Sequence, residues 1–351
     1  MKIAHYNAFK PCCPTCVMQE KPASLLELQV RTQNEVRVIE GQLYCAQCQS
    51  LFPILKGVPI LVPDVDTYLT NSILHALTDH NESPFIEQWL TESTGPTSAY
   101  TLTRQYISTY AEAHYGQHKD PPLEPKSGFE QLADLASSTC HHSALAIDIG
   151  CSVGGSTSVL AQKTDNLVLG IDVSLGMIRF AQQALQGRVR YGKRRVGTVY
   201  DPVEYEIPND NAERIDFWVA DALSLPFLKQ TVNHSQSIHL LDCVSTPTKH
   251  LTELIRILQD DGTWGIVCPY DWSLGATDYH KWLGGFGYFQ GHNGQPEAVL
   301  KWLMSSESPH PELQQTQLIN EIQQQTWRLP IHARSTMHYQ SHVLLGRVNR
   351  V

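Results

Sequence analysis

The chain has 351 residues, 42% of them hydrophobic and 17% charged, and its formal net charge is −9. This length allows one large domain and a small module, and the composition is that of a globular protein rather than a disordered one. The acidic balance argues against a surface that grips a phosphate backbone, and no apolar run approaches the roughly 20 residues that span a bilayer. Residues 1–7 lack the apolar core of a signal peptide, so we expect a cytoplasmic protein that does not bind a membrane.

The first 48 residues contain two Cys-x-x-Cys pairs, Cys13/Cys16 and Cys45/Cys48. In a cytoplasmic protein such pairs indicate a metal rather than disulfides, and four thiolates close the shell of a structural zinc ion. Cys12 is a surplus thiol that could replace Cys13 as a ligand. Between the two pairs, residues 25–40 alternate in a way that predicts a hairpin.

The segment that follows, residues 51–63 with the sequence LFPILKGVPILVP, resembles the tail of Trm112-like zinc ribbons. The resemblance extends over about residues 10–64 and implies a small amino-terminal zinc-ribbon domain, which we assign to residues 1–64. Ribbons of this type accompany or activate methyltransferases. Residues 65–98 are polar, with short helical patches, and are predicted to be a connector.

Two helices are predicted ahead of the first core strand. One covers residues 99–110 and places Tyr106 and Tyr110 on one side, and the prolines within residues 118–125 interrupt the helical pattern. The other covers residues 129–138.

Residues 145–157, LAIDIGCSVGGST, predict a buried strand, a glycine-rich turn and the start of a helix. Residues 167–172 predict a second buried strand that ends in Asp172, at the spacing expected of an acid that binds a ribose diol. Glycines let the backbone turn tightly and approach a ligand closely. The spacing of the turn, Asp148-x-Gly150-x-Ser152-x-Gly154, is not the G-x-G-x-x-G of a dinucleotide site.

This acid-x-glycine pattern resembles motif I of class I S-adenosylmethionine-dependent methyltransferases, although Ser152 stands where many members have glycine. Residues 217–223, FWVADAL, resemble the segment of these enzymes whose Asp-Ala pair faces the adenine. The resemblance implies S-adenosylmethionine as the cofactor, with Asp148 near its methionine end and Asp172 at its ribose. The implied cofactor-binding residues are Asp148, Gly150, Ser152, Gly154, Asp172, Asp221 and Ala222.

Strands and helices alternate through the following region, which predicts a parallel sheet covered on both faces. The predicted strands are 167–172, 215–220, 237–242 and 264–268, and the predicted helices are 177–185, 251–258 and 313–325. Gly262 is expected to stop the second of these helices, and residues 328–348 are expected to form a final hairpin. The resemblance implies that residues 99–351 form a Rossmann-like α/β domain with a seven-stranded, mostly parallel sheet.

Several short motifs outside the glycine-rich turn narrow the resemblance. They are Ala99-Tyr-Thr, Gln105-Tyr106, His114-Tyr-Gly116, Pro269-Tyr-Asp-Trp272, Trp282-Leu-Gly-Gly285 and Tyr339-Gln340. Together they resemble the mercaptohistidine N-methyltransferase family, best known as the carboxyl-terminal domain of ovothiol synthases. This implies methylation of a ring nitrogen in a thiol-bearing histidine derivative. The iron-dependent sulfoxide synthase domain of ovothiol synthases has no counterpart here, and those enzymes carry no zinc ribbon, so the enzyme class is better supported than the substrate.

A ring N–H acceptor must lose a proton when it is methylated, so a nearby carboxylate or imidazole would serve as the base. The catalytic candidates are Asp242, at the end of the predicted fourth strand, followed by Asp271 and His280. Aromatic faces suit a flat ring and a cationic sulfonium, and a guanidinium suits a substrate carboxylate. The substrate-binding candidates are Tyr106, Tyr110, Tyr115, Arg195, Tyr270, Trp272 and Trp282. Core packing is the plainer interpretation of the aromatic residues.

Residues 188–195 carry five cations, which could form a solvated loop, a clamp for a substrate carboxylate or an RNA contact. The leading hypothesis is the N-methyltransferase with a small-molecule substrate. The alternative is an rRNA or tRNA methyltransferase, because some rRNA guanine methyltransferases also place a zinc ribbon before this fold. A third hypothesis is a non-catalytic scaffold that binds the cofactor or a partner protein. The oligomeric state is left open.

Overall fold

A sheet of eleven strands forms the centre of the computed structural model, which describes residues 1–77, 82–122, 124, 126–285 and 291–350. A separate antiparallel hairpin, β7–β8, stands beside it. In chain order the strands are β1 (Glu27–Gln33), β2 (Val38–Tyr44), β3 (Leu51–Leu55), β4 (Val58–Leu61), β5 (Ala146–Ile149), β6 (Val168–Asp172), β7 (Arg188–Val196), β8 (Val199–Glu206), β9 (Ile215–Ala220), β10 (Val232–Ile238), β11 (Leu258–Cys268), β12 (Thr316–His332) and β13 (Ser335–Val348).

Helices pack around this sheet, and none among the described residues is long and apolar enough to cross a bilayer. The α-helices are α1 (Ile3–Phe9), α2 (Pro14–Met18), α3 (Val65–Asn71), α4 (Ile73–Leu77), α5 (Pro84–Thr94), α6 (Ala99–Tyr115), α7 (Phe129–Ala136), α8 (Gly155–Leu160), α9 (Leu175–Ala184), α10 (Pro247–Arg256) and α11 (Pro296–Leu303). Short 3₁₀ turns lie at Gly116–His118, Ala212–Arg214, Leu241–Cys243, Tyr279–Lys281, Gly291–Gly294 and Leu313–Gln315.

The strands of the large sheet follow the order β1-β2-β3-β4-β9-β6-β5-β10-β11-β13-β12. Neighbours from β4 to β11 are parallel, whereas β13 is antiparallel to both β11 and β12. Strands β5 and β9 are buried along their whole length, as expected of a parallel sheet covered on both faces. The predicted Rossmann-like fold is confirmed. The sheet has eleven strands rather than seven, because β1 to β4 continue the seven strands of residues 99–351 through the pairing of β4 with β9.

Most predicted helices are present, with shifted ends. The helix predicted at 99–110 continues to Tyr115 as α6, and the one predicted at 251–258 is α10, which ends at Arg256. Gly262 does not stop that helix but lies inside β11. Residues 78–81, in the predicted connector, and residues 123 and 125, in the proline-rich segment, lie outside the described residues; the rest of the connector contains α3, α4 and α5.

Two predictions for the carboxyl-terminal part of the chain, at residues 237–242 and 313–325, differ from the structure for physical reasons. Residues 313–325 were expected to be a helix, but most of them belong to β12, a long strand paired with β13. Register shifts between Leu318 and Asn320 and between Ile322 and Gln325 disrupt the two-residue alternation, so the apolar residues imitate a helical stripe. The strand predicted at 237–242 is β10, which ends at Ile238. Its buried side chains are mostly polar, so the ends of the strand cannot be predicted from a hydrophobic pattern.

The hairpin predicted between the two cysteine pairs is confirmed as β1–β2. The four-stranded ribbon then joins the larger sheet at β4, where Ile60 pairs with Val219 and Leu61 with Ala220. Helix α3 follows the ribbon, and Asp64 is its N-cap residue. The Asp64 carboxylate accepts a hydrogen bond from the Thr67 N–H at 3.1 Å.

A buried ion pair also ties the ribbon to β9. Asp216 is fully buried, and its carboxylate accepts hydrogen bonds from Arg37 at 2.7 Å, from the Lys2 backbone N–H at 2.7 Å and from Trp218 Nε1 at 2.8 Å. Burial alone would raise the pKa of Asp216, yet the amino-terminal ammonium, Arg37 and His5 hold it well below its usual range. Removing one partner therefore leaves an incompletely compensated charge inside the protein.

We expect Arg37→Met to lower the free energy of unfolding by about 2–3 kcal/mol, which urea titration would measure. This is less than the loss of a fully buried pair, because the Arg37 side chain is 20% exposed. A carboxylate with a depressed pKa stabilises the fold above its unfolded value of about 3.9 and loses that effect below it. The difference from the unmodified protein should thus shrink in acid.

Arg188→Met is the matched control, since Arg188 pairs with Glu204 on the surface, where such pairs contribute about 0–1 kcal/mol. Equal losses in the two variants would contradict the role assigned to Asp216.

Candidate functional site

The glycine-rich turn connects β5 to α8 and relies on left-handed backbone. Gly150 has φ of 78° and Gly154 has φ of 89°, and a Cβ on Gly154 would meet Phe217 at 2.7 Å. These positions therefore require glycine. Ser152 also adopts a positive φ, 51°, which is why glycine suits this position and why serine carries local strain.

Two acids brace this turn. Asp148 is buried and accepts hydrogen bonds from Ser156 Oγ at 2.6 Å and Thr157 Oγ1 at 2.7 Å, which fixes the first turn of α8. Burial raises its pKa, and its second oxygen has no hydrogen-bond partner among the described residues. Asp172, at the end of β6, accepts the Ser152 N–H at 3.0 Å and the Ser174 N–H at 2.8 Å.

A cleft of about 240 Å³ opens at the carboxyl ends of β5, β6, β9 and β10; we call it the glycine cleft. It contains four of the predicted cofactor residues, Gly150, Asp172, Asp221 and Ala222. The Asp221 carboxylate accepts the Leu223 N–H at 2.9 Å, which holds the Asp-Ala pair at the wall. Ligands in parallel α/β sheets bind at this edge.

A larger cavity of about 550 Å³ adjoins the glycine cleft and shares Gly150, Asp172, Leu240 and Cys243 with it. We call it the aromatic pocket, because six of its lining residues carry rings. Those rings belong to Tyr106, Tyr110, His114, Phe129, His239 and Trp327. The structure thus brings two predicted substrate residues, Tyr106 and Tyr110, together with four that the sequence analysis missed.

His239 is the most informative of the missed residues. It directly follows β10 and has φ of 53°, a left-handed conformation that is uncommon outside glycine. Its ring packs edge-on against Trp327, with centroids 4.3 Å apart. The signal that could have found it is its position at the carboxyl end of a central parallel strand, which the misplaced end of β10 obscured.

The three predicted catalytic residues do not line either cavity. Asp242 is buried and accepts the Asp271 backbone N–H at 2.7 Å, so its carboxylate holds the segment after β11 in place. The Asp271 carboxylate accepts a hydrogen bond from Tyr339 at 3.0 Å. His280 is exposed in a 3₁₀ turn. Because β10 ends at Ile238, four residues before the predicted end at residue 242, Asp242 lies beyond the strand, where it bonds the backbone.

Four predicted aromatic residues also lie outside the walls of the two cavities. The Tyr115 hydroxyl donates to the Val153 carbonyl at 2.8 Å, beneath the glycine-rich turn. Tyr270 is hydrogen-bonded through its hydroxyl to His342 Nδ1 at 2.7 Å. Trp272 and Trp282 stack on each other with centroids 6.2 Å apart. Packing, the plainer interpretation, fits these residues.

The cations at 188–195 form strand β7 rather than a loop. Arg195 pairs with Asp201, and Arg188 pairs with Glu204 at 2.6 Å across the hairpin. Lys193 bonds Glu112 at 3.1 Å. Arg195 is therefore not placed as a clamp at either cavity.

The four predicted metal ligands come together. The sulfur atoms of Cys13, Cys16, Cys45 and Cys48 all lie within 4.8 Å of one another. This spacing fits a tetrahedral zinc ion, whose bonds of about 2.3 Å place sulfur atoms about 3.8 Å apart. Cys12 lies outside the cluster, and its backbone N–H donates to the Pro226 carbonyl at 2.8 Å.

Comparison with known proteins identifies the central part of the chain. Residues 147–266 match the family model described as a methyltransferase domain. No curated protein matches the chain.

Solved structures with a similar fold were also found. One is a chain of the complex between the Haloferax volcanii Trm112 methyltransferase activator and a methyltransferase (13% identity, 71% of this chain, 98% of that chain, TM-score 0.41). Another is a SAM-dependent methyltransferase from Methanosarcina mazei (15% identity, 61% and 96% coverage, TM-score 0.41). The [4+2]-cyclase SpnF is a third (14% identity, 63% and 82% coverage, TM-score 0.41). At these sequence identities and TM-scores, the similarity says nothing about the activity of this chain.

The matched segment runs from β5 into β11 and includes the glycine-rich turn, Asp172 and Asp221. This part of the chain therefore matches a methyltransferase domain, for which the motifs of the sequence imply S-adenosylmethionine as the methyl donor. The residues present suit that cofactor, since the glycine backbone allows close approach and the Asp172 carboxylate offers acceptors for a ribose diol. An adenine would lie against Asp221 and Ala222.

Asp172→Ala should weaken S-adenosylmethionine binding about 10- to 100-fold, because hydrogen bonds to a charged group contribute about 1.5–3 kcal/mol. Isothermal titration calorimetry would measure the affinity. Asp201→Ala removes an exposed acid from β8 and should leave it unchanged. Unaltered affinity in Asp172→Ala would refute the ribose assignment.

Cys13→Ala should abolish stoichiometric zinc, whereas Cys12→Ala should retain about one ion per chain. Plasma emission spectrometry of the purified variants would measure the metal. The reverse result would make Cys12 the ligand.

Proposed function

We propose that the protein methylates a ring nitrogen of a small, thiol-bearing histidine derivative held in the aromatic pocket. The observation that carries this proposal is the shared wall of the two cavities, formed by Gly150, Asp172, Leu240 and Cys243. A cofactor in the glycine cleft and a flat acceptor in the aromatic pocket would meet there. The pocket volume, about 550 Å³, is in the range of small-molecule sites.

The walls of the pocket favour a flat ring as the acceptor. Phe129 stacks on His114 with centroids 3.6 Å apart, and Trp327 packs against both Phe129 and Tyr110. These contacts lock the rings in place, so they offer a preorganised slot rather than a flexible surface. The motifs shared with mercaptohistidine N-methyltransferases favour a mercaptohistidine within this class.

When bound, S-adenosylmethionine supplies an electrophilic methyl group; the chain's own part is to orient the acceptor and exclude water. Orientation matters because the sulfur of a mercaptoimidazole is a softer nucleophile than its ring nitrogen. A rigid aromatic slot is what would turn the nitrogen toward the methyl group. We assign Asp242 and Asp271 to positioning, since they connect the segment after β11 to Tyr339.

The alternative, an RNA methyltransferase, would need an exposed basic surface. Arg188, Lys193 and Arg195 are instead paired with acids of the same hairpin or of α6. Neutralised cations contribute less to phosphate binding. This observation favours the small-molecule proposal.

A turnover assay followed by mass spectrometry tests whether the substrate is a mercaptohistidine or RNA. The protein and S-adenosylmethionine would be offered 5-mercaptohistidine, 2-mercaptohistidine, histidine and total RNA in parallel. We expect a mercaptohistidine to gain one methyl group on a ring nitrogen. Methylated RNA with unchanged small molecules would support the alternative, and methylation on sulfur would contradict the orienting role of the pocket.

A further inference from the structure

His239 is held in its unusual conformation by contacts with β11 and β13. Its backbone N–H donates to the Val267 carbonyl of β11 at 2.8 Å, and its Nε2 lies 2.6 Å from Ser341 Oγ of β13. A left-handed non-glycine residue costs about 1 kcal/mol or more, and such residues persist where the surroundings fix them, often at active sites. The ring thus enters the aromatic pocket in one defined orientation.

The other ring nitrogen, Nδ1, has no hydrogen-bond partner in the described part of the chain. The ring is nearly perpendicular to those of Trp327 and Tyr339, with centroid distances of 4.3 Å and 5.4 Å. Burial lowers the pKa of His239 to about 3. The imidazole is therefore neutral near pH 7; its assignment as a base rests on the unpartnered Nδ1 and the place of the ring at the pocket, not on this pKa.

The titratable groups around it do not change this state. Burial lowers the pKa of His114 to about 3 and raises that of Cys243 to about 12. It also raises the pKa values of Tyr110 and Tyr339 above their usual range. Near pH 7 the thiol and both phenols are accordingly protonated, and the second imidazole is neutral.

Two other groups at the pocket are less suited to accept a proton. Asp172 already accepts two backbone N–H groups. His114 is stacked on Phe129, and its Nδ1 faces Gly155, where an added Cβ would lie only 2.7 Å away. His239 directly precedes Leu240, a residue of the shared wall, and is the better-placed candidate.

We propose that His239 is the general base of the methyl transfer, with Ser341 as the positioning residue that accepts the Nε2–H and leaves Nδ1 free. This inference rests on the proposed function. The ring N–H of the acceptor gives its proton to His239 Nδ1 as the nitrogen forms its bond to the methyl carbon. The carbon–sulfur bond of the sulfonium breaks, and its electron pair remains on the sulfur as a neutral thioether.

The first test needs no acceptor. Long-range ¹H–¹⁵N spectra of histidine-labelled protein, with His239→Gln to assign the signals, report the tautomer and charge of His239. We expect a neutral ring protonated on Nε2 near pH 7. A ring protonated on Nδ1, or an imidazolium, would overturn the assignment whether or not the substrate is known.

The second test compares His239→Gln with His234→Gln in the same turnover assay. His234 is the matched control, since it is a buried imidazole of β10, the strand that precedes His239, with its pKa also lowered by burial to about 3, and it bonds Thr263 rather than lining the pocket. We expect His239→Gln to lower kcat by about 10²- to 10⁴-fold with cofactor affinity retained, and His234→Gln to leave kcat nearly unchanged.

The pH profile separates catalysis from a structural role. Without His239, the proton of the acceptor must pass to water or hydroxide, and hydroxide becomes more abundant as the pH rises. The ratio of variant kcat to unmodified kcat should therefore rise from about pH 6 to about pH 9. A pH-independent ratio would indicate structural damage and overturn the proposal. If the unmodified protein methylates none of the acceptors, the proposed substrate fails, while the tautomer measurement still decides the state of His239.

Discussion

The parallel pairing of β5 with β6 on one side and β10 on the other is the constraint on which the site depends. It brings the carboxyl ends of three strands to one edge, where Gly150, Asp172 and His239 each follow or end a strand. The chain leaves these strands in unusual ways, with left-handed backbone at Gly150 and His239. Because the strands cannot slide without exposing buried apolar residues, the distances among these groups are set by the sheet rather than by flexible loops.

The ribbon is part of the same framework. It adds strands to the sheet through β4, and Cys12, next to the thiolate cluster, donates its backbone N–H to Pro226. Pro226 lies a few residues after Asp221 and Ala222, the pair at the wall of the glycine cleft. The cysteine cluster and the cleft are therefore connected through one short segment. A zinc ion held by all four cysteines would have no open position for substrate, so we propose that this site serves to fix the backbone that supports this segment.

Motifs formed by residues close together in the chain can be predicted from the sequence, whereas contacts between distant residues cannot. The glycine-rich turn, Asp172 and the cysteine pairs could be predicted because each depends on residues close in the chain. The ends of strand β10 cannot be predicted, because its buried residues are mostly polar and show no hydrophobic pattern. The bulges of β12 give its apolar residues a spacing that resembles that of a helix. The position of Asp242 at the end of a predicted strand indicates a base, but its hydrogen-bond partner, the Asp271 N–H, is 29 residues away in the chain and cannot be predicted from local sequence.

The polar character of β10 has a physical explanation in its contacts. His234 bonds Thr263 of β11 at 2.8 Å, Gln236 reaches the Ser156 carbonyl of α8 at 3.5 Å, and Ser237 bonds His250 of α10 at 2.9 Å. An apolar strand would bury more hydrophobic surface, but it would not link these three elements by directional bonds. In a low-dielectric interior such bonds fix one arrangement of the core. Strand β10 thus buries less apolar surface and is instead joined to β11, α8 and α10 by directional hydrogen bonds.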